Sequence, residues 1–288
     1  MRLWLAAGAV AVLSIVACGT APGGATPVVS PPTSALVPWQ GFPASQHPRP
    51  IVWLGNASPA NGFDPGDAKI AFFCGKFTLG STLPKNLPSP AVATWTDGAR
   101  ATYAGISAAG ALAAIARAAS GMSASDCAAV APLVVSAARL GTFDFDTDRG
   151  KARMTAWLFT AAGASGEVAY PALAQTAFWS GGMSVQSSKG GAGLSADGLS
   201  LTFTFEGSPD VPGPCGADYK GVVAESSAAV AVAVQEISHA GPNDIACPAI
   251  AQERSVTVIL ASPLGGRVVV DASGDAVTVC PEASAKAC

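Results

Sequence analysis

Cysteine placement constrains this chain more than any other feature. Seven cysteines occur, at 18, 74, 127, 215, 247, 280 and 288. None forms a Cys-x-x-Cys pair, so neither a thioredoxin-like redox site nor a zinc ribbon is expected. The first stands apart: Arg2, a largely apolar run from Leu3 to Ala17 and then Cys18 have the layout of a secretory signal. As a helix that run covers about 22 Å, short of the ~30 Å hydrocarbon core of a bilayer. Six cysteines remain, an even number in an exported chain and consistent with three disulfides among fifteen allowed pairings. Cys215 and Cys247 each lie in a loop beside strand-like segments and read as one pair, and Cys74 and Cys127 as another within the first half. Cys280 and Cys288 then close the tail.

The signal ends Ile15-Val16-Ala17-Cys18, which resembles the bacterial lipobox, where the cysteine is lipidated and becomes the first mature residue. That resemblance implies a lipid anchor on the extracytoplasmic face of the cell membrane. From Gly19 to Pro50 the chain has no acidic residue, one basic residue, Arg49, and eight prolines. A segment with so little to bury reads as a disordered tether over 19–50, rich in Pro, Ser and Thr. Trp39 and Phe42, which sit in it, read as docked on the domain or idly exposed, with a partner's handle as the alternative.

Beyond residue 50 the expectation is a folded, β-rich body. Half the residues are hydrophobic and 12% are charged, too apolar a balance for disorder. The 32 glycines and 22 prolines favour turns and short strands over long helices. A formal net charge of −3 leaves no basic footprint, which excludes nucleic acid as a partner. Strand patterns run over 69–79, 91–97, 100–106, 132–145, 151–160 and 168–175, with a helix from Ser107 to about Ala119 and a shorter one at 125–130. Thr147 to Gly150 marks a hairpin turn. Strand patterns in the second half run over 199–205, 219–225, 228–237, 255–261, 266–271 and 276–280. The fold class is therefore α+β, mainly antiparallel β with one or two short helices in the first half, and disulfide-stapled. A β-rich lobe over 51–180 and an antiparallel β lobe over 199–288 are separated by the Gly/Ser-rich stretch 180–198, unless the two make one domain.

Local chemical signatures fail one after another. Asp144, Asp146 and Asp148 alternate like the opening of a calcium loop, yet Arg149 and Thr155 stand where glycine and the bidentate glutamate belong. A solvated strand face is the better reading, with weak calcium binding as the alternative. Gly-x-Ser-x-Gly, Ser-x-x-Lys, Gly-x-Gly-x-x-Gly and the P-loop are all absent. His239, the one histidine beyond residue 50, lies in the turn-forming run Ser238 to Asp244 and reads as an exposed loop residue. No cofactor is expected.

Several stretches occur together: Ala138 to Thr142, Asp148-Arg149-Gly150, Thr155 to Thr160, Cys215 to Tyr219, Glu225-Ser226, Cys247, and Pro263-Leu264-Gly265-Gly266-Arg267 ending in Asp271. They resemble an uncharacterised group of exported lipoproteins from high-GC Gram-positive bacteria, without an assigned activity. The resemblance implies an envelope address and a Cys215–Cys247 bond. The residues themselves read as architecture: Gly265-Gly266 permits a sharp reversal, Trp157 packs in a core or lobe interface, and Arg267 pairs with Asp271 or Glu225 or meets an anion. The functional expectation is a non-catalytic, lipid-anchored envelope protein that binds another envelope component, protein or cell-wall polymer. Trp157, Arg267 and Tyr219 are its candidate contacts. One alternative is a small-ligand carrier with an inter-lobe pocket lined by Trp157, Trp179 and Tyr219. The other is an envelope hydrolase using carboxylates of Asp144, Asp146 or Glu225.

Overall fold

The computed structural model describes residues 30–57, 59–118, 122–180, 187–239 and 246–282. Cys18, Cys288 and the signal lie outside the described residues, so the anchor and the closing of the tail fall outside them too.

Period-two burial builds the first sheet. Its strands are β1 (Phe77–Leu79), β2 (Ala91–Trp95), β3 (Arg100–Tyr103), β4 (Leu133–Thr147), β5 (Gly150–Ala161) and β6 (Val168–Pro171), in the order β1-β4-β5-β2-β3 with β6 also on β5. Ala91, Ala93 and Trp95 face inward while Val92 and Thr94 face out. In β5, Ala152 and Met154 are buried between exposed Lys151 and Arg153, but every residue from Ala156 to Phe159 is buried. The second half of β5 is covered on both faces. Trp157 and Phe159 pack with the helix residues Phe72, Ala111 and Ile115, and Ala156 and Leu158 with Ala169 and Leu173.

The expected hairpin is the long β4–β5 pair, register Thr147 to Gly150 at its tip. The expected helix is α2, Ala108–Ala118, whose first turn is capped by the Ser107 hydroxyl accepting the Gly110 amide at 3.1 Å. The short helix is α3, Ala124–Ala128. The run 69–79, expected as one strand, divides into α1 (Ala68–Phe73) and β1. A short apolar run does not distinguish helix from strand by itself. Burial of Ala71 and Phe72 on one side and Gly75 at φ 63° settle it as one helical turn and a stop. Cys74, at the end of α1, is bonded to Cys127 of α3.

The second sheet has β7 (Ser187–Leu194), β8 (Ser200–Gly207), β9 (Ala217–Glu225), β10 (Ala229–Ser238), β11 (Gln252–Ile259), β12 (Val268–Val270) and β13 (Ala276–Pro281), in the order β11-β8-β7-β13-β12-β10-β9. Antiparallel pairs prevail, as expected, but β1–β4, β10–β12 and β13–β7 are parallel. The stretch 180–198, expected as a boundary loop, contributes β7 to the middle of this sheet. The sheet curls until its two edge strands lie against each other: Arg254 Nη2 donates to the Ala217 carbonyl at 3.1 Å, and a Cβ on Gly221 would strike the Val258 side chain. Leu201, Val230, Val232, Val258, Val269 and Val277 fill the space enclosed. Cys215–Cys247 fastens the loops before β9 and β11.

The tether expectation fails from residue 30 onward. A 3-10 helix, Thr33–Trp39, lies on the outer side of β10 and β9. Trp39 and Phe42 are buried there among Ala224, Ala229, Val268 and Val270. The Trp39 indole N–H donates to the Gly274 carbonyl at 3.0 Å. Two aromatic rings and Leu36 give this proline-rich segment enough apolar surface to outweigh its ordering entropy. The segment then crosses to the first sheet, bridging Ile51 to Phe178 and Trp53 to Thr147.

Candidate ligand-binding site

Where that crossing meets the β4–β5 tip, the polar groups converge. Thr147 Oγ1 accepts from the Trp95 indole at 3.2 Å and from the Arg149 amide at 3.2 Å, and donates to the Gly150 carbonyl at 2.6 Å. Gly150 closes the turn at φ 80°, which favours glycine. Three attachments then hold Asp148: its amide donates to the Val52 carbonyl at 3.1 Å, its carbonyl accepts the Val279 amide at 2.8 Å, and its carboxylate receives Arg49 at 2.5 and 3.3 Å. The Arg49 and Asp148 side chains are 8% and 2% exposed. Arg49 Nε also donates to the Gly266 carbonyl at 2.6 Å. One carboxylate thus ties the docked N-terminal segment to the first sheet, and the same residue's backbone ties the first sheet to β13.

Arg149 projects from the same turn. Its guanidinium carbon lies 3.7 Å from the Trp95 ring centroid, and its Nε is shut off from solvent with no hydrogen-bond partner. Burial lowers the pKa of this guanidinium, Asp148 opposes that effect and the Arg49 charge adds to it. Tyr103 donates to the Arg49 carbonyl at 3.0 Å, and burial raises its phenol pKa against the charges of Arg149 and Arg49. Arg49, Arg149, Tyr103 and Trp95, with the exposed Arg100 and His47, line an open cleft of about 540 Å³.

Trp95 and Arg100 also belong to a second depression, about 670 Å³, on the outer face of β4, β5 and β2. Its floor is Thr94, Thr142 and Thr155, flanked by Arg153 forked onto Asp144 at 2.8 Å through both nitrogens. Lys151, on its wall, meets Asp146 at 2.7 Å.

Asp144 and Asp146 are solvated, as the alternation implied, each held by a cation of β5. Asp148 departs from that reading, because the turn swings it inward to Arg49. The weak calcium possibility loses its geometry, and no group of three or more His, Cys, Asp or Glu residues capable of holding a metal occurs among the described residues. Trp157 is a core residue whose indole donates to the Ile106 carbonyl at 2.8 Å. Arg267 is a structural clamp, bonded to Glu225 at 2.6 Å and to the carbonyls of Ser262, Pro263 and Leu264. Burial pushes the Glu225 carboxyl up, but the Ala261 amide and Arg267 outweigh it and hold it below its ordinary value. Tyr219 meets Phe205 edge-to-face at 4.8 Å and donates to Glu236 at 3.2 Å. Trp179 packs on Phe42 at 5.3 Å. The aromatic pocket expected from Trp157, Trp179 and Tyr219 is therefore not assembled, since the three sit against different clusters. His239 is engaged rather than idle: its ring nitrogens lie 2.9 Å from the Val211 carbonyl and 3.2 Å from Asp218.

Arg49, Arg149, Trp95 and Tyr103 were not singled out as a site from the sequence. Asp148-Arg149-Gly150 was visible as a turn, but its partners are Arg49, Val52 and Trp95 far upstream and Val279 far downstream in the chain. Both disulfides are of the kind kept in an oxidising compartment outside the cytoplasm. Among the described residues no helix is long and apolar enough to cross a membrane. No family model, curated protein or solved structure matches the chain.

Proposed function

We propose that this chain is a lipid-anchored, non-catalytic protein of the cell envelope, displayed on the extracytoplasmic face, that binds another envelope component through the outer face of its first sheet. The supporting observation is the open depression across β4, β5 and β2. Thr94, Thr142 and Thr155 line its floor, the Thr155 hydroxyl bonded to the Val92 backbone, and two of its flanking cations are paired, Arg153 with Asp144 and Lys151 with Asp146. Such a face offers many hydrogen bonds at little desolvation cost, which suits an extended, hydroxyl-rich polymer better than an apolar partner. The lipobox-like end at Cys18 and the two disulfides agree with that address.

Co-sedimentation of the full, processed protein with purified cell walls of its host tests the reading. A Thr94→Ala/Thr142→Ala variant, which keeps the ion pairs and the Thr155 hydroxyl that accepts the Val92 amide, is expected to lose at least fivefold in wall retention while melting like the parent. Equal retention by that variant removes the groove from the proposal.

A further inference from the structure

We propose that the cleft between the sheets is an oxyanion site, in which Arg149 and Arg100 receive a carboxylate or phosphate group. This goes beyond the groove reading and does not need it. Charge distribution is the first ground. The chain has more acidic than basic residues, 19 against 16. Yet Arg49, Arg100, Arg149 and His47 line this cleft together and no Asp or Glu does. Asp148 lies behind the wall with both carboxylate oxygens turned to Arg49. Asp97 accepts the Ala99 amide at 2.8 Å and acts on Arg149 through its charge from outside the cleft lining. Arg100 makes no ion pair among the described residues.

The second ground is the guanidinium itself. Arg149 lines the cleft, and its Nε is closed to solvent without a partner, so the hydrogen-bonding capacity left to a ligand is at the terminal nitrogens. Its guanidinium carbon is held 3.7 Å from the Trp95 ring centroid and the group bonds to the Tyr103 hydroxyl, so the planar fork is positioned before an oxyanion arrives. Tyr103 and Gln46 border the same space, and its volume of about 540 Å³ admits a small ligand or the charged substituent of a larger one. Arg49 is spent on Asp148 and Gly266 and acts here only as a background positive charge.

The test is titration of the full, processed protein with inorganic phosphate and with acetate, read on the arginine Nε–H resonances by NMR, with sodium chloride at matched ionic strength as the control. Saturable movement of the Arg149 Nε–H signal by phosphate or acetate, absent with chloride, is the expected result. Arg149→Lys keeps the charge but removes the fork and is expected to weaken the anion at least tenfold. Arg100→Gln, at an exposed position, is expected to weaken it severalfold without changing the melting temperature. If both free anions fail, a phosphodiester oligomer and a uronic acid oligosaccharide are titrated in turn, and saturation by either assigns the oxyanion to a polymer-borne group. No saturable movement with any of the four, or unchanged affinity in Arg149→Lys, overturns the proposal. The threonine variant of the groove leaves these titrations unchanged, so the two readings fail separately.

Discussion

At the scale of single residues, Asp148 matters because three unrelated parts of the chain depend on it. Its side chain is 2% exposed and faces an arginine 8% exposed, so neither charge is well hydrated when the other is lost. Asp148→Asn leaves the Arg49 charge buried and uncompensated, at an expected cost of about 3–5 kcal/mol, measured as a shift in the denaturant midpoint. Replacing both partners, as Arg49→Met with Asp148→Leu, is expected to cost less than either single change. Equal stability of Asp148→Asn and the parent would show that the pair contributes nothing. The sequence did not disclose this role, since Asp144, Asp146 and Asp148 share one parity and two of them do face solvent. Parity describes a strand, and it stops applying at residue 148, where the chain leaves β4 and turns.

At the scale of elements, the Pro263 to Arg267 loop shows how a correct local reading can still miss its partner. Gly265 adopts φ 56°, the reversal expected there. Gly266 has a different reason to be glycine: a Cβ would land on the Ala44 carbonyl oxygen, and its own carbonyl accepts Arg49. Gly266→Ala is therefore expected to lift the 33–49 segment from β10 and β9. The readout is loss of amide-exchange protection at Gln40 and Phe42, whose amides bond to Val37 and Trp39, with protection retained along β4–β5. Unchanged protection would show that the docked segment tolerates the shift. Elements formed by local rules were legible, among them α2 with its serine cap and the β4–β5 hairpin with its turn. α1 was not, because six residues of mixed apolar character carry no decisive period and the Cys74–Cys127 bond and the packing of Phe72 decide it.

For the molecule as a whole, stability is shared between two sheets, their separate cores and the disulfides, of which two join described residues. The disulfides span 53 and 32 residues, and loops of these lengths correspond to about 4 kcal/mol each in the chain-entropy account. Replacing Cys74 and Cys127 together by serine is expected to lower unfolding free energy by about 2–4 kcal/mol, seen in equilibrium denaturation, with Cys215–Cys247 intact. A parent-like midpoint would place the stabilisation of α1 and α3 in packing alone.

The amino-acid sequence by itself made legible the signal layout, the disulfide-stapled α+β class and most strands, because each follows from local period, turn chemistry or cysteine count; the pairs Cys74–Cys127 and Cys215–Cys247 were expected among fifteen allowed pairings and are present. Tertiary structure alone decided three things: that residues 30–50 cover the second sheet, that its edges curl together, and that Arg49, Arg149, Trp95 and Tyr103 share one cleft. The reason is range. The Arg49 guanidinium is satisfied by groups 99 and 217 positions away, and no local pattern encodes which of them arrives.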